Sequence, residues 1–267
     1  RSSAKMVARV EYRAPSHTIY LVMEIFSFVK RVPSTTANVE IKDQQLDTSG
    51  CEFEINPYDR FAVEEGLRQK EAAGDGNVTA VSFGDDASQK ELRTTLAMGA
   101  DAALLLKNDA ADSADATTTA KVIAAAIGER SFDLLLFGKQ SVGHDQHGVG
   151  AGVATRLGIP CITEVISLDI SAGQVTAQRG VEGAVETITA SLPCAITCQK
   201  GLNEPRLASL KGIMAAKKKP LESVDVEMPA LALIVESTQP PAARPAGRIV
   251  DNAAELVDAL RNEAKVL

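Results

Sequence analysis

Between Gly138 and Gly158 the sequence GKQSVGHDQHGVGAGVATRLG gathers the residues whose types and spacing come nearest to a chemical site. Glycines at 143, 148, 150 and 152 lead into a helical pattern, so free backbone N–H groups and a helix start can face an anion beside Ser141. That reads as a phosphate cradle. The same glycines also suit a tight strand-to-helix turn with close packing, and spacing leaves both readings open. No Gly-Lys-Ser/Thr closes the segment as a Walker A loop would, and no GxGxxG follows the first strand. His144, Asp145 and His147 place three possible ligands within four residues, but a catalytic metal needs ligands that converge, and the other histidine, His17, sits near the N-terminus. No metal is expected. Neither a GxSxG elbow nor a Ser or Cys arrangement with His and Asp appears, so catalysis by the chain's own side chains is not expected.

A second stretch, GLNEPRLASLKGIMAAKKKP from Gly201 to Pro220, opens on a turn-like Asn-Glu-Pro, carries isolated apolar residues and closes in lysines. It holds no His, Cys or Asp, which leaves contact rather than catalysis as its use.

The elements that position these residues follow from apolar patterning. Ile19 to Val29, Val78 to Gly84, Asp101 to Lys107 and Asp133 to Lys139 are nearly continuous apolar runs of the kind found in strands buried on both faces. Helical stretches separate them. NPYDRFAVEEGLRQKEAAG is bounded by Pro57 or Asp59 and Gly74, ASQKELRTTLAMGA stops at Gly99, and DATTTAKVIAAAIGE forms a third. Alternating strands and helices predict a Rossmann-like parallel sheet with helices on both faces. After Gly158 the Val-, Ile- and Thr-rich CITEVISLDISAGQVTAQRGVEGAVETITASLPCAIT predicts added antiparallel hairpins. The proline-rich segment from Glu236 predicts an extended C-terminal arm, and NAAELVDALRNEAKVL a terminal helix capped by Asp251 or Asn252, with Leu256, Leu260 and Val266 on one face. The expected organisation is an N-terminal extension over 1–22, an α/β domain over 23–235 containing a loop at 198–219, and an arm over 236–267 that packs on another subunit.

Composition bounds the function. With 267 residues, 45% of them hydrophobic, the chain can bury a core of its own, and a net charge of −7 argues against a nucleic-acid partner. Cys51, Cys161, Cys194 and Cys198 form no CxxC pair and read as reduced thiols in a reducing compartment. No apolar run reaches the ~20 residues that span a bilayer, so no membrane insertion is expected. Arg1, Lys5, Arg9 and Arg13 against the single acid Glu11 suit a mitochondrial targeting remnant, an appended segment or a start assigned upstream of Met23. In a parallel sheet, ligands bind beyond the carboxyl ends of the strands. Here those ends are Val29 leading into Lys30, Phe83 with Gly84, and Gly138 with Lys139.

The motifs FVKRVP, INPYDRFAVEEGLRQKE, VSFG, LRTTLAMGAD, LLLFGKQS and LNEPRLASLKGIMAAKKKP, in this order from about Met23 to Glu222, resemble the beta subunit of electron transfer flavoproteins. The resemblance implies a heterodimer with an alpha subunit that makes most of the contacts to a redox FAD, while the beta subunit holds a structural AMP. A second FAD takes that place in flavin-bifurcating relatives, and an empty site is the third alternative. Carried over by position, the nucleotide site takes Phe28, Asn56, Pro57, Tyr58, Asp59, Phe83 and the segment from Gly138 to Val149, with Lys139, Gln140, Ser141, Val142 and Asp145 inside it. The family commonly has Asp where Gly143 stands and a polar residue where Gly148 stands, and Val149 is similar to the FAD-binding relatives, since AMP binders usually carry Thr there. Arg179 matches an arginine near the subunit and flavin interface, although the acidic residue after it is Gly180 here.

For partners, the resemblance implies acyl-CoA dehydrogenases and related enzymes as electron donors and a membrane quinone oxidoreductase as acceptor, in a mitochondrial matrix or a bacterial cytoplasm. Leu202, Asn203, Glu204, Pro205 and Arg206 would meet the dehydrogenase, with Leu210 as the anchor. Two other functions stay open: a structural subunit of a larger respiratory assembly, and a nucleotide-hydrolysing enzyme on the same sheet. The second would need a Ser-Gly-Gly-x-Asp-Ser loop where Lys30-Arg31-Val32-Pro33 stands.

Overall fold

A computed structural model describes residues 23–244 and 246–267. The expected N-terminal extension, with His17 and the first residues of the predicted opening strand, lies outside the described residues.

The chain begins with β1 (Met23–Phe28), then the short strands β2 (Arg31–Pro33), β3 (Glu40–Lys42), β4 (Gln45–Asp47) and β5 (Phe53–Ile55), followed by α1 (Pro57–Ala73). There follow β6 (Gly76–Gly84), α2 (Gln89–Met98), β7 (Ala102–Lys107), α3 (Ala116–Ile127), β8 (Leu134–Gly138) and α4 (Val149–Leu157). The second half contains β9 (Cys161–Ser171), β10 (Gln174–Val181), β11 (Ala184–Ser191), β12 (Cys194–Cys198), α5 (Leu210–Ala216), β13 (Leu221–Asp225) and α6 (Ala253–Asp258). The nine-stranded sheet has the order β11-β10-β9-β12-β8-β1-β6-β7-β13. From β9 to β13 every pairing is parallel, and β9, β10 and β11 form an antiparallel meander at the other edge.

This is the expected α/β class, and strand pleating explains it residue by residue. Ile25, Leu134, Leu136, Leu105 and Ile196 face one side, where they pack with Ala62, Val63 and Leu67 of α1 and Leu92 and Leu96 of α2. Phe26, Phe28, Leu135, Phe137 and Leu106 face the other, against Ile123 and Ile127 of α3 and Val153 of α4. Strands sandwiched in this way read as unbroken apolar runs. One expectation needs correcting. The stretch after Gly158 is not all hairpin, because β12 returns to pair in parallel with both β8 and β9. Its five residues are all buried, so their apolar run belongs to the parallel core.

The predicted helices form with the predicted ends. Pro57 occupies the first turn of α1, where a missing N–H costs nothing, and Gly74 stops the helix at φ 78°. Asp115 caps α3 by accepting from the N–H groups of Thr117 and Thr118. Among the described residues no helix is long and apolar enough to cross a membrane.

Residues 40–47 and 236–267 group as a separate unit. Within it, Asp43 and Gln44 both take positive φ (50° and 61°), as the two-residue turn between β3 and β4 requires, and the Thr238 N–H donates to the Gln44 carbonyl at 2.9 Å. Asn252 caps α6 by accepting from the Glu255 N–H at 3.0 Å. The terminal helix is shorter than expected: α6 ends at Asp258 and passes into a π turn over Ala259–Glu263. Leu256 and Val266 are exposed.

Candidate nucleotide crevice and docking helix

From β1 the chain builds outward through β6 and β7, then crosses back to place β8 on the other side of β1. At such a reversal the loops after neighbouring strands diverge and leave a crevice. Here it has about 860 Å³ of space, part of it open to solvent. Its floor is aromatic. The parallel register of β1 and β8 sets Phe28 beside Phe137, with ring centroids 4.1 Å apart and planes 2° from parallel. Val81, Phe83 and Ile123 complete the apolar wall.

The rim is held by two buried polar side chains at the start of α1. Asp59 accepts from the Lys30 N–H at 2.7 Å and from the Gly138 N–H at 3.1 Å, joining the ends of β1 and β8. Asn56 donates to the Gln140 carbonyl at 2.8 Å and accepts from the Val142 N–H at 3.1 Å. Gly138 is required for this arrangement, since a Cβ there would run into the Asp59 carboxylate and the Tyr58 backbone. Burial, only partly offset by hydrogen bonds from Asn56, Lys30 and Gly138, pushes the Asp59 carboxyl up to about 7.

Cationic groups face the same space. Lys30 and Lys139 both line it, and α4 begins there at Val149 with N–H groups of its first turn unpaired inside the helix. Burial lowers the Lys30 ammonium, against the attraction of Asp112 and Asp59. The charge of Lys30, then burial, lowers the His144 imidazole, opposed by Asp112 and Asp145.

The two readings of the glycines divide by position. Gly150 and Gly152 serve packing: a Cβ at Gly150 would lie 2.7 Å from Thr197 Cγ2, and one at Gly152 would lie 2.9 Å from Ala120 Cβ. Gly143 has open space around it and takes φ 91°, so it serves the turn.

Of the sequence-predicted residues, Phe28, Asn56, Asp59, Phe83, Gly138, Lys139, Gln140, Ser141 and Val149 line the crevice. Pro57, Tyr58, Val142, Asp145 and Arg179 do not. Pro57 starts α1, the Tyr58 ring lies 5.2 Å from Lys139 Nζ, Val142 is tied by its N–H to Asn56, and Asp145, at φ 47°, receives the Gln140 side-chain amide. Arg179 sits on β10, donating to Glu186 at 2.7 Å and to Thr163 at 3.0 Å. Sequence reasoning missed Asp112, Thr119 and Ile123, which reach the crevice from α3 and the connection before it.

His144, Asp145 and His147 diverge. His144 lines the crevice, Asp145 meets Gln140, and His147 Nδ1 lies 3.7 Å from Glu164. Among the described residues no three His, Cys, Asp or Glu side chains gather as a metal site. The cysteines are unpaired, and burial pushes the Cys161 thiol up to about 11 and the Cys194 thiol up to about 12, with Cys198 also well above its usual value.

In the loop at 198–219 the side chains split between inward and outward roles. Leu202 and Asn203, expected to face a partner, are buried within the chain. Asn203 donates to the Phe61 carbonyl at 3.0 Å and to Glu65 at 2.9 Å. Arg206 is likewise engaged, bridging Glu64 and Glu71 on α1. These contacts hold the loop down. Glu204 is exposed and Pro205 half-buried.

What faces outward is α5 and its approach, where Leu207, Leu210 and Met214 are 85%, 79% and 60% exposed. Leu210 and Met214, four residues apart, lie on one side of α5, and Leu207 precedes it. The helix is fixed from behind. Ser209 caps it by accepting from the Gly212 N–H at 3.0 Å, and Gly212 itself lies where a Cβ would strike the Ala97 carbonyl of α2. The two helix ends also cap one another. Lys219 Nζ donates to the carbonyls of Leu96, Gly99 and Ala100, and Arg93 donates to those of Ala216 and Lys219. Lys217 and Lys218 remain exposed.

Residues 44–229 match the family model described as the electron transfer flavoprotein domain. The chain is 40% identical over 260 residues to the electron transfer flavoprotein subunit beta of Bacillus subtilis, covering 92% of this chain and all of that relative. It is 35% identical over 254 residues to the mitochondrial electron transfer flavoprotein subunit beta of Oryza sativa subsp. indica, again over 92% of this chain and all of the relative. The subunit beta of Syntrophomonas wolfei is 33% identical over 249 residues, 91% of this chain and 98% of its own length.

Proposed function

The chain belongs to the beta subunits of the electron transfer flavoprotein family, and from that premise we propose that it pairs with an alpha subunit to carry electrons from acyl-CoA dehydrogenases and related enzymes to a quinone oxidoreductase. FAD, shared with the alpha subunit, supplies the redox chemistry, and the chain contributes binding and orientation. The crevice holds an adenine nucleotide, AMP in our reading.

The observation that carries this reading is the meeting of the Phe28–Phe137 floor with Lys30, Lys139 and the start of α4 in one crevice. A flat apolar slot suits a base, while cations and helix N–H groups suit a phosphate. Asn56 and Asp59 act through the backbone, holding the loops that form the walls. A second FAD is the alternative, favoured by the open space beside Gly143 and by Val149 at the start of α4. Leu210 and its exposed neighbours on α5 form the docking surface for the dehydrogenase, and the arm from Glu236 packs on the alpha subunit. The relatives include bacterial and mitochondrial proteins, and we assign the chain to a bacterial cytoplasm or a mitochondrial matrix, where thiols stay reduced.

Mass spectrometry of nucleotides released on denaturing the native alpha–beta complex tests the cofactor assignment. AMP with FAD in equal amounts supports it, two FAD per complex favours the alternative, and a colourless complex without flavin defeats the electron-carrier role. Reduction of the bound flavin by an acyl-CoA dehydrogenase with its substrate tests the donor.

A further inference from the structure

We propose that Lys30 and His144 grip the phosphate of the bound nucleotide from opposite loops, and that His144 takes up a proton as it does so, making the crevice hold its nucleotide more tightly as pH falls. The proposal rests on the adenine-nucleotide reading above. Both side chains line the crevice, Lys30 from the end of β1 and His144 from the loop after β8. Among the described residues neither is engaged in an ion pair. Their neighbours differ: Lys139 and His147 both face Glu164, at 3.8 and 3.7 Å.

The other charges around His144 are few. Asp112 faces it from the connection before α3, Asp145 from its own loop, and Lys30 from β1, while Asp59 stands behind Lys30 on α1. Lys30 dominates, and it lowers the imidazole's affinity for a proton. Two like charges converging on one space are unfavourable when it holds only water and become favourable when an anion lies between them. A phosphate dianion reverses the effect of Lys30 on His144. The free site therefore releases the proton at a lower pH than the filled one, and between those two values binding draws a proton from solution. The sign is fixed by this order: affinity rises as pH falls through the interval.

Equilibrium dialysis of labelled AMP against the nucleotide-stripped alpha–beta complex, from pH 5.5 to 8, tests this for wild type, His144→Gln and His144→Lys. Protonation of AMP itself and of Asp59 is common to all three proteins and cancels in their ratios. Relative to His144→Gln, wild type should bind about tenfold more tightly at the acid end than at the alkaline end, the factor that one unit of pKa shift represents. His144→Lys should keep the acid-end affinity at pH 8. Curves for wild type and His144→Gln that run parallel, with His144→Lys no tighter at pH 8, would overturn the role of His144 while leaving the nucleotide site intact. If none of the three retains AMP, the adenine-nucleotide reading falls and this proposal with it. His144 is exposed, so neither substitution removes a core contact.

Discussion

Replacing Asp59 by Asn removes the carboxylate that joins the ends of β1 and β8, and its consequence can be worked through in sign and size. The Asp59 carboxyl is pushed up to about 7 from an ordinary 3.8, chiefly by burial. A raised acid stays protonated in the folded chain after the unfolded chain has let its proton go. Stability is therefore unaffected below the unfolded value, declines as pH rises from 3.8 toward 7, and levels off above that. At about 1.4 kcal/mol per unit, the part of this decline between pH 5 and 7 is about 3 kcal/mol. Asn cannot titrate, and its amide resembles the protonated acid in offering one strong acceptor. At pH 5 the two proteins should be of similar stability, within the ~1–3 kcal/mol cost of leaving one of the Lys30 and Gly138 N–H groups unpaired. By pH 8 Asp59→Asn should have gained about 3 kcal/mol relative to wild type. Guanidinium unfolding of the alpha–beta complex at pH 5, 6, 7 and 8 measures the difference, in which other titrating groups cancel. A difference that stays flat across this range refutes the assignment of a near-neutral titration to Asp59.

Leu210→Ala should slow flavin reduction by the dehydrogenase, most at low donor concentration, with nucleotide content unchanged. One exposed leucine that becomes buried on docking contributes about 1.5–3 kcal/mol, a loss of roughly tenfold to a hundredfold in affinity; equal rates would dismiss the anchor. Lys219→Met should lower stability by about 1–2 kcal/mol, since three carbonyls at the end of α2 lose their donor. Hydrogen exchange should rise in α5 and the end of α2 before it rises in α1. In Gly150→Ala the new methyl meets Thr197 and the Phe137 ring, with an expected cost of about 1–3 kcal/mol and weaker nucleotide retention, both read by thermal unfolding with and without added AMP.

The parallel core was legible because strands covered on both faces need apolar residues at every position, and runs such as LLLF at 134–137 have them. The place of β12 in the sheet was not legible. A buried CAITC says strand, but its neighbours are chosen by where the chain returns after the β9–β11 meander. The strands at 31–33 and 53–55 are too short for a period to register. In the crevice the strand ends could be anticipated from the sheet rule, whereas Asp112 and Thr119 could not, because only the crossover brings α3 across from the loop after β8. The resemblance pointed to the loop around Leu210. It could not separate Leu202 and Asn203 from the outward residues, since that division depends on Glu65, 138 residues from Asn203.

The buried cysteines carry a consequence for a protein that works beside a flavin. Reduced flavins that meet oxygen yield peroxide, and peroxide attacks sulfur as the thiolate. Cys161, Cys194 and Cys198 are held by burial so far toward the thiol that almost no thiolate exists at neutral pH, and Cys194 and Cys198 are closed off from solvent as well. The sulfur that packs the sheet between β8 and β9 is thus sheltered from the oxidant its own partner chemistry can make.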